Sequence, residues 1–111
     1  MRLMDPEITV AHVGRSMTVV AVHGELDLHA AEELRTALAA DGRRLVVDLV
    51  GTTFLDSTAL GIIAGAARSS DLTVVASDPR IIRIFQLTGL DRSIRVERSL
   101  AEAIANRLLP V

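Results

Sequence analysis

The chain has 111 residues, half of them apolar, and a net charge of −2 from 12 basic and 14 acidic residues. This length predicts one domain over residues 1–111, with a hydrophobic core large enough to be stable without disulfides or a structural metal. The chain has no cysteine, which excludes disulfides and thiolate zinc sites. The two signs of charge are interspersed and only two residues are aromatic, so we predict no nucleic-acid partner.

The first seven residues carry charges where a signal peptide would have its apolar core, and no apolar run is as long as a membrane span. We therefore expect a soluble, cytoplasmic protein without a membrane partner. The three histidines do not cluster with carboxylates at ligand spacing, so no metal or other cofactor is expected.

Two short strands are predicted first, over residues 8–13 and 17–22, joined by a turn at residues 14–16. Residues 24–27 end the second strand, and Asp27 is the candidate N-cap of a helix over residues 28–40. Its apolar stripe consists of Leu28, Ala31, Leu34 and Leu38, and residues 41–42 close it.

A nearly continuous apolar run at residues 45–50 predicts a strand buried on both faces. Residues 51–53 break it, and Phe54 and Leu55 are predicted to return the chain to the core. Helical spacing then begins at Asp56. Gly61 and Gly65 lie within this second helix, where glycine is unfavourable. Close packing against the sheet explains Gly65, and either packing or a shallow exposed surface explains Gly61.

The remaining elements alternate as strand and helix. A strand is predicted at residues 71–76, and Asp78 caps a helix that ends at residues 88–89. Another strand follows at 93–97, and a capping box at Ser99 and Glu102 opens a final helix to about residue 108. The order β-β-α-β-α-β-α-β-α predicts an α/β fold with a mixed, mostly parallel sheet and packed helices.

The predicted start of the second helix places Asp56, Ser57 and Thr58 where backbone N–H groups lack partners and the helix dipole favours an anion. From the residues alone, this turn is either a plain N-cap or a cap that doubles as a modification and contact site. Capping is the commoner role of these residue types, so the residues alone favour the plain cap.

Three segments resemble a known protein family and favour the second interpretation, in which the cap doubles as a modification and contact site. They are residues 54–61 (FLDSTALG), 24–27 (GELD) and 83–90 (RIFQLTGL). In this order they resemble the anti-sigma factor antagonists of the STAS-domain family. The resemblance implies a single STAS-like domain that is not an enzyme. It also implies that the unphosphorylated protein binds an anti-sigma factor and so frees a sigma factor.

The resemblance further implies that the anti-sigma factor is a serine kinase that ends binding by phosphorylating Ser57, with Thr58 as the less favoured target, and that a PP2C-type phosphatase resets the switch. The implied partner surface comprises ten residues: Glu25, Asp27, Thr53, Phe54, Asp56, Ser57, Thr58, Ala59, Gly61 and Ile62. Ala59 departs from the family, which commonly has glycine there.

Two other functions stay open. One is a STAS domain without the switch, acting as a scaffold or as the accessory subunit of a larger assembly such as a lipid transporter. The other is a hydrolase with Ser57 as nucleophile and His12, His23 or His29 as base. The hydrolase is disfavoured because Leu55 and Ala59 occupy the glycine positions of the G-x-S-x-G elbow.

Overall fold

A computed structural model describes residues 6–39 and 44–108 of the chain. In these residues six strands and four helices follow one another. The strands are β1 (Glu7–Val13), β2 (Met17–Leu26), β3 (Arg44–Asp48), β4 (Thr52–Leu55), β5 (Asp71–Val75) and β6 (Arg95–Glu97). The helices are α1 (Ala31–Ala39), α2 (Ser57–Ser69), α3 (Pro79–Leu87) and α4 (Leu100–Leu108).

The strands form one mixed sheet in the order β1-β2-β3-β5-β6. β1 and β2 form an antiparallel hairpin, whereas β2 and β3, β3 and β5, and β5 and β6 pair in parallel. The parallel strands are linked through helices, as expected for crossover connections. The predicted fold class, a single α/β domain with a mixed and mostly parallel sheet, is confirmed.

β4 is a strand that the predicted order did not contain, because residues 51–53 were taken as a break. It runs parallel to the last residues of β2, with Gly24 opposite Thr52 and Leu26 opposite Leu55. The buried Thr52 hydroxyl donates a hydrogen bond to the Val22 carbonyl at 3.0 Å. β2 therefore extends to Leu26 instead of ending at residue 22, and a register shift after Gly24, whose φ is 98°, accommodates the extension.

Apolar side chains pack on both faces of the sheet. The larger core lies between the sheet and α1, α2 and α3, and it includes Leu34, Leu45, Ile63 and Phe85. A smaller core lies under α4 and consists of Met17, Val19, Val46, Val75 and Ala103. Because successive side chains of a strand point to opposite faces, β3 supplies both cores, with Val46 in one and Val47 in the other.

The first helix begins later than predicted. Residues Leu28–Ala30 form a 3-10 turn, and α1 starts at Ala31. Leu28 was predicted to belong to the buried stripe, but 65% of it is exposed because it lies in this turn, outside the helical phase of α1. Ala31, Leu34 and Leu38 are buried as predicted. The predicted helix end at residues 40–42 lies outside the described residues.

Polar side chains cap the other helices as their spacing predicts. The Asp78 carboxylate accepts a hydrogen bond from the Arg80 N–H at 2.8 Å, and Pro79 is the first helical residue of α3. At the start of α4 the Ser99 hydroxyl accepts from the Glu102 N–H at 3.1 Å. Gly89, just past α3, has a φ of 76°, which accounts for a glycine at that helix end.

Two burial predictions are wrong. Phe54 does not enter the core, because Leu55 fills the inward position of β4 and Phe54 remains 48% exposed. Gly65 does not pack against the sheet: it is exposed, and a Cβ added there would meet no atom within 4 Å. His12 and His23 are both exposed, and the His12 ring lies 3.2 Å from the Thr18 hydroxyl, within hydrogen-bond distance.

Candidate functional site

The site is built where β2 and β4 end side by side. Parallel pairing places Glu25 opposite Phe54 and Leu26 opposite Leu55. The chain then enters α2, and the Asp56 N–H donates a hydrogen bond to the Leu26 carbonyl at 3.2 Å. Two segments that are thirty residues apart in sequence, GELD and FLDS, therefore meet at one edge of the molecule. The pairing of β4 with β2 is what brings them together.

Asp56 caps α2. Its backbone is extended, and its carboxylate accepts a hydrogen bond from the Ala59 N–H at 2.9 Å. The Asp56 carbonyl accepts from the Leu60 N–H at 3.0 Å, which begins the helical ladder. The capping role that the sequence left open for the whole turn thus falls to Asp56. Ser57 and Thr58, the first two helical residues, keep exposed side chains at the positive end of a 13-residue helix.

Ala59 lies beneath these two hydroxyl residues. It is fully buried and packs in the larger core with Ile63 and Leu55. Its methyl group therefore points into the fold, away from the exposed surface of the turn. The structure separates Ala59 from the other nine residues of the predicted partner surface, all of which are exposed or partly exposed.

The end of β2 supplies the acidic part of the site. Glu25 is exposed, and the partly buried Asp27 accepts a hydrogen bond from the His29 N–H at 3.0 Å, capping the 3-10 turn. This turn packs against α2. Glu25, Asp27 and Asp56 are the three carboxylates of the two segments, and neither residues 24–31 nor residues 52–67 include a lysine or arginine. These two segments therefore contribute net negative charge to the surface around Ser57.

Apolar side chains accompany these carboxylates. Phe54 and Val50 are each 48% exposed, and Leu28 is 65% exposed. Large exposed apolar side chains near a polar site are typical of protein contact surfaces. Leu28 and Val50 were missed from the sequence, because Leu28 matched a buried helical stripe and Val50 ended an apolar strand. No sequence signal distinguishes such residues from core residues.

A groove of about 460 Å³ runs along the outer face of α2, between that helix and α1. Thr58, Gly61, Ile62 and Gly65 line its α2 side, and Arg35 and Leu38 line its α1 side. The absence of side chains at the two glycines keeps the α2 wall low. Of the predicted partner residues, Thr58, Gly61 and Ile62 open onto this groove. The exposed Thr53, in contrast, lies on β4.

The chemistry available at this site is limited. In the described part of the chain, no hydrogen bond joins the Ser57 hydroxyl to a histidine ring. Residues 6–39 and 44–108 contain no group of three or more His, Cys, Asp or Glu arranged to hold a metal ion. What the geometry offers is an exposed hydroxyl at a capped helix start, within an acidic and partly apolar surface.

No helix in the described residues is long and apolar enough to cross a membrane.

Comparison with known proteins identifies the fold and its relatives. A family model described as the STAS domain matches residues 8–103. An anti-sigma-B factor antagonist from Listeria monocytogenes is 31% identical over 96 residues, covering 78% of this chain and 84% of the relative. An anti-sigma-B factor antagonist from Staphylococcus aureus is 35% identical over 80 residues, covering 64% of this chain and 74% of the relative.

Solved structures agree with these matches. The crystal structure of an anti-sigma factor antagonist from Mycobacterium paratuberculosis superposes with a TM-score of 0.82 at 30% identity, covering 92% of this chain and 93% of that one. The anti-sigma factor antagonist SpoIIAA in its unphosphorylated form has a TM-score of 0.75 at 19% identity, covering 95% of this chain and 100% of that one. At that identity the second likeness concerns the fold alone.

Proposed function

Because the chain belongs to the STAS-domain family, we propose that it is an anti-sigma factor antagonist whose binding is switched by phosphorylation of Ser57. The unphosphorylated protein binds an anti-sigma factor, which then releases its sigma factor. The anti-sigma factor acts as a serine kinase on Ser57, and a PP2C-type phosphatase removes the phosphate. The protein is a regulator in the cytoplasm and performs no catalysis of its own.

The observation that supports this proposal is that one residue at the start of α2 caps the helix while another exposes its hydroxyl. Asp56 provides the cap by accepting from the Ala59 N–H at 2.9 Å, so the fold does not need the Ser57 hydroxyl as a cap. The Ser57 side chain is exposed and ends the FLDS segment, which the β2–β4 pairing brings beside GELD. A kinase can therefore reach the hydroxyl without unfolding the domain.

A phosphate on Ser57 has opposite effects on the domain and on a complex. It adds about −1.5 to −2 charges and three acceptor oxygens. The positive end of α2 accommodates an anion, so the domain stays folded. A protein docked over Phe54 and Ser57 would instead meet added bulk and a charge with no partner at a desolvated contact. Binding is therefore lost while the fold is kept.

The test compares binding of an anti-sigma factor to Ser57→Ala and Ser57→Asp. Ser57→Ala is expected to bind as tightly as the unmodified protein and to resist phosphorylation. Ser57→Asp is expected to bind at least about tenfold more weakly, a loss of about 1.4 kcal/mol, because a carboxylate imitates part of the phosphate charge. Its thermal midpoint should stay close to that of the unmodified chain.

Ser16→Asp is the matched control, because Ser16 is an exposed serine in the turn before β2, at the opposite end of that strand from the site. It should bind as the unmodified protein does. Incubation with ATP and the kinase, followed by site mapping, should place the phosphate on Ser57, and Thr58→Ala should leave that phosphorylation intact. Equal affinity of Ser57→Ala and Ser57→Asp would contradict the switch and favour a STAS domain that acts as a scaffold or accessory subunit.

A further inference from the structure

β1 forms one end of the sheet and pairs with β2 alone among the described strands. It is seven residues long, and its sequence, EITVAHV, contains no proline, lysine or arginine. Glu7, at its first residue, is its single acidic side chain. The outer edge of such a strand presents unpaired backbone N–H and C=O groups, which can pair with another strand.

The opposite edge of the sheet is protected in the ways that proteins commonly use. β6 has only three residues, and its Arg95 and Glu97 side chains lie 3.9 Å apart as an ion pair. Arg98 follows directly. Short length and charge both discourage pairing with a further strand. The β6 edge of the sheet is therefore protected against pairing with a further strand (a blunted edge), whereas the β1 edge is not (an open edge).

We propose that β1 is a contact surface for a second copy of this chain, paired antiparallel about a twofold axis through Val10. An antiparallel pair of identical strands related by a twofold axis must place one residue opposite itself. Val10 is the large apolar side chain of β1 that is most exposed, at 43%. The pairing sets Val10 against Val10, and contacts between β-branched residues stabilise cross-strand pairs.

The charges of β1 permit this register. Thr9 faces Ala11, Ile8 faces His12, and Glu7 faces Val13, so no two acidic side chains are opposite one another. The two Glu7 residues lie at opposite ends of the ladder, about 20 Å apart at the usual rise per strand residue. That separation exceeds the Debye length of about 8 Å at physiological ionic strength, so their repulsion is largely screened.

The resulting dimer joins the five-stranded path of each copy into one continuous sheet. Twofold pairing uses the open edge of both copies and leaves the blunted β6 edges at the two ends of the joined sheet, so assembly stops at the dimer. A contact limited to two strands lies at or below the lower end of stable interfaces. Self-association is therefore weak and depends on protein concentration.

Sedimentation equilibrium of the full chain, from about 10 µM to about 1 mM, covers the range in which such a weak contact forms. The average mass should rise from 11.9 kDa toward twice that value. Val10→Lys should remain at 11.9 kDa throughout, because it places two ammonium groups at the twofold axis. Val50→Lys is the matched control: Val50 is 48% exposed but lies outside β1, so this variant should associate as the unmodified chain does.

Single cysteines test the register, because the natural chain has none. Val10→Cys should form disulfide-linked dimers on mild oxidation, since opposed residues of antiparallel strands have Cα atoms about 4.5 to 5.5 Å apart, within disulfide range. Val50→Cys should not. A chain that stays monomeric at 1 mM, association unchanged by Val10→Lys, or equal cross-linking of both cysteine variants would overturn the proposal. Ser57→Ala and Ser57→Asp should self-associate alike, so this test is independent of the phosphorylation switch.

Discussion

At the scale of single residues, the turn at 56–58 shows how one helix start can hold both a structural and a displayed side chain. Asp56 turns inward to the Ala59 N–H, whereas Ser57 and Thr58 project outward. Ala59 adds a methyl group to the core at the position where the resembled family commonly has glycine. That methyl group is directed away from the surface, so the departure does not obstruct access to Ser57.

At Gly51 an added methyl group would meet a neighbouring side chain. A Cβ at this position would overlap the imidazole ring of His23, with ring atoms Cε1 at 2.9 Å and Cγ at 3.0 Å. Because the His23 side chain is exposed, its ring can turn away, so Gly51→Ala should lower the free energy of unfolding by about 1 kcal/mol or less. In a His23→Ala background the same substitution should cost much less. A double-mutant cycle by urea unfolding measures this coupling.

A loss of the same size in both backgrounds would contradict the overlap and would locate the cost in the backbone of residue 51. The Gly24 N–H donates to the Gly51 carbonyl at 3.0 Å, so that backbone helps hold the end of β2 against β4.

At the scale of elements, α2 combines an apolar inner face with an outer face of small residues. Ala59 and Ile63 are buried, whereas Gly61 and Gly65 lie on the exposed side. A Cβ added at either glycine would meet no atom within 4 Å, so neither glycine is needed for close packing. Their conformational freedom therefore weakens the helix without a compensating packing contact. The glycines instead shape the groove between α1 and α2, into which Thr58 and Ile62 also project.

Gly65→Ala should accordingly raise the free energy of unfolding by about 0.5 to 1 kcal/mol, because alanine loses less conformational entropy in a helix. Gly89→Ala is the contrasting variant, since Gly89 has a φ of 76° and alanine is strained there. It should lower stability. Chemical unfolding of both variants measures these changes in the free energy of unfolding. A loss of stability in Gly65→Ala would mean that α2 packs more closely than its exposed glycines suggest.

The start of α3 gives a pH prediction. The pKa of Asp78 is lowered from its ordinary 3.8, first by the side-chain hydrogen bond from Arg80 and then by the Arg80 backbone N–H. The folded state favours the ionised form of Asp78, so the Asp78 charge stabilises the fold. This stabilisation is complete above pH 3.8 and is lost as the pH falls through the lower pKa of the folded state.

Asp78→Asn keeps an oxygen acceptor for the cap but removes the charge. Its thermal midpoint should lie below that of the unmodified chain at neutral pH, and the gap should narrow as the solution is acidified below pH 3.8. Thermal unfolding followed by circular dichroism across this range measures the gap. A gap that persists unchanged in acid would mean that the charge of Asp78 contributes nothing to the difference.

At the scale of the whole molecule, stability depends on an almost entirely aliphatic core. The chain has two phenylalanines and neither tyrosine nor tryptophan. Phe85 is fully buried between α3 and the sheet, whereas Phe54 is half exposed beside the candidate site. We therefore expect substitution of Phe85 to change stability and substitution of Phe54 to change binding, although both residues are phenylalanines.

Phe85→Ala should lower the free energy of unfolding by about 3 to 5 kcal/mol, a large part of the roughly 5 to 15 kcal/mol that holds a domain folded. Phe54→Ala should change it by less than about 0.5 kcal/mol, as surface substitutions usually do, but should weaken binding of the anti-sigma factor. Urea unfolding and a binding titration on both variants test this division. Stability losses of similar size would show that Phe54 also supports the core.

The amino-acid sequence by itself determined the alternation of strands and helices, the caps at Asp78 and Ser99 and the α/β class, because hydrophobic periodicity and capping chemistry act over a few residues. It also determined the family, through three motifs in the right order. Only the tertiary structure decided that residues 52–55 form a strand, because that strand exists through its pairing with the distant end of β2. The same pairing placed Glu25 beside Phe54. The 3-10 turn exposed Leu28, and the strand order left β1 at an edge of the sheet, since burial depends on which segments become neighbours in space.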